Sequence, residues 1–137
     1  LPNDRRHTIK VYGNYMFDNK IMVGGNFLWQ TGRPKGCFGV HPTDVFAAAY
    51  DEASFYCDGQ PAPRGSLGKT DNYLNLDLNA QYTVEMGESE LVLSVDLFNV
   101  LNSDAIVEVN EVEGTNLGKT SLYQQPRSYR LSARYNF

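Results

Sequence analysis

The side chains of this 137-residue sequence that could do chemistry are few: two cysteines, two histidines, and charges spaced two residues apart. Cys37 and Cys57 lie in one segment rich in Gly, Pro, Asp and Ala. We read them as a disulfide that pins a long loop in an oxidising compartment. Closing about 20 residues would restrict the unfolded loop by roughly 3 kcal/mol in the chain-entropy model. Two unpaired thiols remain the alternative, and a metal site with His41 lacks the usual ligand spacing. His7 and His41 have no partner at catalytic spacing, and neither a nucleophile elbow nor a paired-carboxylate site stands out. No catalytic residue, metal site or cofactor is therefore expected, and the chain is not read as an enzyme. Leu67-Gly68-Lys69-Thr70 recurs as Leu117-Gly118-Lys119-Thr120. The second copy, within Gly114–Thr120, resembles a phosphate-binding loop with one spacer residue missing. A phosphate cradle leads into a helix, whereas a strand pattern follows each copy here. The repeat is expected to mark two similar loop-to-strand junctions.

The elements that position these residues alternate with a period of two. In the last stretch, Phe137, Tyr135, Ala133, Leu131 and Tyr129 fall on one side, and Asn136, Arg134, Ser132, Arg130 and Ser128 on the other. A strand separates the two sets onto opposite faces, whereas a helical period of 3.6 would mix them. The same pattern predicts strands over about 6–17, 21–31 and 73–84, and one starting near Glu90. In the third strand Leu74, Leu76, Leu78, Ala80, Tyr82 and Val84 alternate with Asn75, Asp77, Asn79, Gln81 and Thr83. In the fourth, Leu91, Leu93, Val95 and Leu97 share a face and Asp96 lies on the other. Ala105–Val112 is expected to extend this strand after a break at Asn99–Asp104. The pattern fails over Gly32–Asn72, where a short helix fits Asp44–Ala53, and a second loop runs from about Glu113 to Pro126.

The apolar residues are spread as alternating singles, and mean hydropathy is −0.42. No stretch approaches the ~20 apolar residues of a membrane helix. A polar-lined membrane barrel remains open. The net charge of −4 gives no basic surplus, so no nucleic-acid partner is expected. Connections run short, long, short, long: Asp18-Asn19-Lys20, the cysteine loop, Glu85–Ser89, then the 113–126 loop. Outer-membrane barrels have short periplasmic turns and longer extracellular loops. With Phe137 at the periplasmic side, every connection falls where its length predicts. Tyr15, Phe17, Tyr82, Tyr135 and Phe137 would form one interfacial aromatic band, and Phe27, Trp29 and Tyr129 the start of the other. Five strands cannot close, since the smallest such barrels need about eight. The opening Leu1-Pro2-Asn3-Asp4-Arg5-Arg6 has neither initiator Met nor export signal. A piece of a longer protein is expected: an all-β, antiparallel up-and-down meander, about five C-terminal strands of a large transmembrane β-barrel.

Several motifs then become recognisable. Asp4-Arg5-Arg6-His7, Gln30-Thr31-Gly32-Arg33-Pro34 and Pro63-Arg64-Gly65-Ser66 each flank a strand. Val95-Asp96-Leu97-Phe98-Asn99-Val100-Leu101-Asn102 and Pro126-Arg127-Ser128-Tyr129-Arg130-Leu131 follow. In this order, with the terminal Phe, they resemble the end of a TonB-dependent receptor barrel, and the Arg-Gly-Ser element and cysteine loop look most like its Oar-like branch. The resemblance implies a barrel of about 22 strands with an N-terminal plug, energised through TonB. It implies a place in the outer membrane of a Gram-negative bacterium, with a periplasmic C-terminus. The implied partners are outer-membrane lipid, the remaining strands and plug, the barrel-assembly machinery, TonB through the absent N-terminal part, and an unnamed solute taken up or exported. The terminal strand residues Tyr129, Leu131, Tyr135 and Phe137 would act as the assembly signal. Plug and TonB box have no counterpart here, so active transport is not legible in these residues.

Asn75, Asp77, Asn79, Asp96, Arg130 and Arg134 are expected on the inner, polar face. They would line a lumen and meet plug or solute, or else form a cross-strand salt network that stabilises the wall. Two other classes stay open: a passive porin or adhesin barrel, and a soluble β-sandwich or lipocalin-like binding module.

Overall fold

The computed structural model describes residues 3–18 and 20–137. Leu1, Pro2 and Asn19, the middle of the first expected turn, lie outside the described residues. The chain forms two compact units. One, the strand unit, comprises Thr8–Trp29, Leu74–Asp104 and Gln125–Phe137. The other, the loop unit, comprises Leu1–His7, Gln30–Tyr73 and Ala105–Gln124.

The main sheet holds five strands in the order β1 (Thr8–Phe17), β2 (Ile21–Gln30), β7 (Tyr73–Met86), β8 (Ser89–Phe98) and β11 (Ser128–Asn136). They follow one another in space as in sequence, an antiparallel meander. The register places like with like. Leu78 faces Leu97, which faces Tyr129; Ala80, Val95 and Leu131 make the next row, then Tyr82, Leu93 and Ala133, then Val84, Leu91 and Tyr135. On the opposite face the rows are Asn79, Asp96 and Arg130, then Gln81, Ser94 and Ser132. β2 joins the same scheme. A Cβ added at Gly24 would meet the Asn79 side chain, and one at Gly25 the Leu78 side chain. A one-residue slip would exchange the two faces throughout, so the pattern specifies this register strongly.

The short hairpin is tighter than the five-residue turn expected from sequence. Met86 pairs with Ser89, leaving only Gly87 and Glu88 as the connection. Gly87 takes φ 70°, and Glu88 does not have positive φ. That is the II′ pattern, whose first central residue is Gly because a Cβ is penalised there. β7 accordingly runs two residues beyond the expected Val84. In the first turn Asp18 adopts φ 48°, and Lys20 N–H donates to the Phe17 carbonyl.

One expectation is overturned. Ala105–Val112 does not extend the fourth strand. Instead β9 (Ile106–Val109) pairs with β10 (Thr120–Tyr123) in a separate two-stranded sheet of the loop unit. The break is made by Asn99 and Asn102, both in left-handed φ, 47° and 53°. Asparagine tolerates this region better than other residues with a Cβ. Asn99 is buried. Its Nδ2 donates to the carbonyls of Ser103 (2.8 Å) and Gln125 (2.7 Å), and its Oδ1 accepts from Ser103 N–H (3.0 Å). Its own N–H donates to Asp77 Oδ1 (2.9 Å). One side chain thus satisfies backbone groups that leave the ladder at the end of β8.

The segment expected to be largely irregular holds several small elements: β3 (Gly39–Val40), α1 (Val45–Tyr50), β4 (Ala53–Ser54), β5 (Tyr56–Cys57) and β6 (Gln60–Pro61). The expected helix is present and shorter than Asp44–Ala53. Asp44 caps its start, accepting from the N–H groups of Phe46 and Ala47, and Asp51 closes it in a left-handed conformation. The hydrophobic core also lies in this unit. Among the described residues the buried apolar side chains are Cys37, Ala47, Ala62, Ala105 and Val109, none of them in the main sheet.

Asn99→Ala should lower stability by about 2–4 kcal/mol, because it strands buried backbone partners and puts a Cβ without local hydrogen bonds in left-handed φ. Asn102→Ala should cost about 1 kcal/mol. Thermal unfolding of the two variants side by side checks this; equal losses would show that the Asn99 network does not hold the end of β8.

Candidate functional site

The polar face of β7, β8 and β11 brings together most of the residues predicted from the alternation. Asn79 pairs with Asp96, and Asp96 with Arg130. Arg130 Nε lies 3.0 Å from Asp96 Oδ2, and its guanidinium stands over the Phe98 ring at 5.5 Å. Arg134 stands opposite Val92 in the ladder, two positions along the same face. Gln81, Ser94, Asp96, Arg130, Ser132 and Arg134 border a polar recess of about 550 Å³. Beyond Arg134 on the same strand pair, Asn136 Nδ2 donates to Glu90 Oε1 at 2.6 Å. Asn75 and Asp77 share this face by alternation, but Asp77 is engaged with the Asn99 backbone. The expected salt network is present as one pair, Arg130 with Asp96, rather than as four linked charges. A solvent-facing pair of this kind contributes about 0–1 kcal/mol.

The apolar face is the inverse. Tyr129, Leu131 and Tyr135 are exposed, Leu131 at 73%, and so are Leu78, Tyr82, Leu93 and Leu97. Phe137 is wholly exposed. Tyr15 packs edge-on against Phe17 with centroids 4.6 Å apart, and Tyr135 stacks on Phe137 at 6.1 Å. Among the described residues no second layer covers this face. Contiguous apolar surface on this scale marks a contact with something apolar.

In the loop unit, Cys37 and Cys57 are joined in a disulfide with Cα atoms 5.8 Å apart. Both thiols are thereby used, so neither is a free thiol nor a metal ligand with His41. His41 instead packs on the Tyr56 ring, centroids 4.4 Å apart. Sequence reasoning missed the group that ties the cysteine loop to the 105–124 segment. Arg64 Nη1 lies 2.8 Å from Glu111 Oε2, and its guanidinium stands over the rings of Phe38 (5.1 Å) and Phe55 (5.6 Å). Glu111 Oε1 also accepts from Gly36 N–H (3.1 Å), and Glu113 accepts from Asp58 N–H. Arg64 and Glu111 are 47 residues apart, and no local pattern links them. The repeated Leu-Gly-Lys-Thr has a structural meaning. Gly68 and Gly118 take nearly the same φ, 81° and 79°. Pairing follows each at once: Lys69 bridges Pro34, and Thr120 pairs with Val109. Neither copy leads into a helix, so neither forms a phosphate cradle.

No protein-family model and no curated protein sequence matches the chain. A solved structure does: the ferripyoverdine receptor of the outer membrane of Pseudomonas aeruginosa, bound to ferripyoverdine. It superposes with a TM-score of 0.62 at 18% identity, covering 98% of this chain and 14% of the receptor. At this identity the likeness is one of fold. The antiparallel meander matches part of an outer-membrane β-barrel receptor. The chain spans about one-seventh of the length of that receptor.

Arg64→Ala would leave the largely buried Glu111 carboxylate without its partner, and should destabilise the loop unit by about 3 kcal/mol. Arg6→Ala, which removes an exposed pair with Asp4, should cost under about 1 kcal/mol. Protease susceptibility of the 36–64 segment reads the difference; equal susceptibility of both variants would contradict the assignment.

Proposed function

We propose that this chain is part of the wall of an outer-membrane TonB-dependent receptor barrel, of the Oar-like branch, that moves a solute across the outer membrane. The observation that carries the proposal is the pair of faces. Four successive cross-strand rows are apolar on one side, with Leu78, Tyr82, Leu93, Leu97, Tyr129, Leu131 and Tyr135 exposed, while the other side is largely polar and bears Asp96, Arg130 and Arg134. Lipid on the first face and a watery lumen on the second fit this arrangement. A soluble sandwich would place a second apolar layer against the first face, and none is present among the described residues. The likeness to the ferripyoverdine receptor supports the barrel reading from an independent direction.

The main sheet has two open edges, the outer sides of β1 and β11. Open edges are not tolerated in lipid, so further strands of the same barrel flank both. β11 then serves as the closing strand, and Tyr129, Leu131, Tyr135 and Phe137 form the stripe read by the assembly machinery. Asn75, Asn79, Asp96, Arg130 and Arg134 face the lumen, where plug and solute would meet them, and Asp77 holds the end of β8. The C-terminus is periplasmic and the disulfide loop external. The role is binding and passage, with no catalytic residue assigned. Energy from TonB would act through a plug outside these residues.

Ala80→Arg and Gln81→Arg differ by one position in depth but point to opposite faces. In the outer membrane Ala80→Arg should cost about 2–4 kcal/mol and Gln81→Arg well under 1, read as the fraction of inserted, heat-modifiable protein. Equal insertion would sink the face assignment. Phe137→Ser should reduce assembly more than Asn136→Ser by the same readout; matching yields would remove the signal role.

A further inference from the structure

The disulfide sits at the centre of a clasp that reaches beyond its own loop. In the second long connection, Val112 forms a single parallel bridge with Phe38. Phe38 N–H donates to the Glu111 carbonyl at 2.7 Å, and Glu113 N–H donates to the Phe38 carbonyl at 2.9 Å. A bridge this short is not stable without further contacts.

Side chains supply those contacts, and each lands beside a cysteine. Glu111 Oε1 accepts from the N–H of Gly36, the residue before Cys37. Glu113 Oε1 accepts from the N–H of Asp58, the residue after Cys57. A Cβ at Gly39 would collide with the Glu113 carboxylate and with the Tyr56 carbonyl, so the close approach requires glycine there. Arg64, paired with Glu111, spans both halves of the loop: its guanidinium stands over Phe38, next to Cys37, and over Phe55, two residues before Cys57. The bond between Cys37 and Cys57 holds these halves together with Cα atoms 5.8 Å apart. The β3–β4 ladder that also joins them is only two residues long.

We propose that the disulfide is a redox latch for residues 111–113, a segment with no cysteine of its own. Residues two apart on an extended chain point the same way, so Glu111 and Glu113 reach toward the loop together. The oxidised bond fixes the spacing of the Gly36 and Asp58 amides, and both carboxylates engage at once. Once one is seated, the other binds as an intramolecular step at high effective concentration. Reduction removes that advantage. A dithiol supplies two electrons and two protons: the S–S bond breaks, both cysteines become thiols, and the dithiol leaves as its cyclic disulfide. Cys37 is wholly buried and Cys57 partly exposed, so the attacking thiolate enters at Cys57 and Cys37 is the leaving group. Release is local. The β9–β10 ladder and the bond from Ile106 N–H to Asp71 Oδ2 do not touch the cysteines or their chain neighbours. The latch lies wholly within the loop unit, and stands whether or not the main sheet faces lipid.

The test is amide hydrogen exchange on the full protein in detergent, before and after dithiothreitol. Exchange at Phe38 and Glu113 should quicken by about tenfold or more on reduction, while β9 and β8 keep their protection. Unchanged exchange at Glu113, or equal loosening of β9, overturns the proposal. Coupling between two sites is reciprocal, so the clasp must also protect the bond. Glu113→Ala should therefore make the disulfide several-fold easier to reduce in a dithiothreitol titration. Glu108→Ala, on the same connection but paired with Arg33 instead, should leave the titration unchanged. The same midpoint for Glu113→Ala and the parent, or an equal shift in both variants, overturns it as well.

Discussion

An apolar sheet face with no layer set against it is the constraint on which the rest of this chain depends. In water such a face would be driven to find cover, at roughly 25 cal/mol for each Å² withdrawn from solvent. The strands cannot cover it themselves, because they lie side by side in one sheet and all turn their apolar residues the same way. The cover must come from outside the sheet, and in the proposed barrel wall a bilayer would supply it without any shape complementarity. This explains why the face can be built from evenly spaced Leu, Val, Ala and Tyr rather than from interlocking side chains. The opposite face tolerates an isolated ion pair such as Arg130 with Asp96 because solvent screens charge there.

Where the sheet ends, the physics changes. The loop unit contains the buried apolar side chains found among the described residues, yet they are small: cysteine, alanine and one valine. A unit of this size withdraws too little apolar surface to hold itself by burial alone. Its order comes from specific ties instead. The disulfide closes the first long connection on itself, and Arg64 joins that connection to Glu111 of the second through a charge pair shielded by two phenylalanine rings. Long connections held in this way can present side chains outward, as α1 does with Phe46 and Tyr50, without collapsing around them.

The strands were legible because a period of two is the strongest local signal a sequence carries, and here it runs through β7, β8 and β11, broken in β8 only by Val92 and Phe98 on the polar face. Face assignments for Asp96, Arg130 and Arg134 followed directly from parity. The disulfide followed from two cysteines in one Gly- and Pro-rich loop. The extension of the fourth strand failed because alternation resumes after Asn99, and parity cannot report a change of direction. The signal was nonetheless present: two asparagines three residues apart at a strand end suit left-handed φ. Arg64 and Glu111 were not legible at all, since a pair 47 residues apart leaves no periodic trace. The repeated Leu-Gly-Lys-Thr was read as a pair of strand starts, and the matching φ of Gly68 and Gly118 supplies the reason.

The central claim is that the Leu131 side of β11 meets lipid and the Ser132 side meets water. The measurement that tests it most directly is a spin-label scan over residues 129–136 in the membrane-inserted protein, comparing accessibility to oxygen and to a water-soluble nickel chelate. The account predicts a period-two alternation, with Tyr129, Leu131, Ala133 and Tyr135 favouring oxygen and the positions between them favouring nickel. Uniform accessibility, or alternation in the opposite phase, would contradict it.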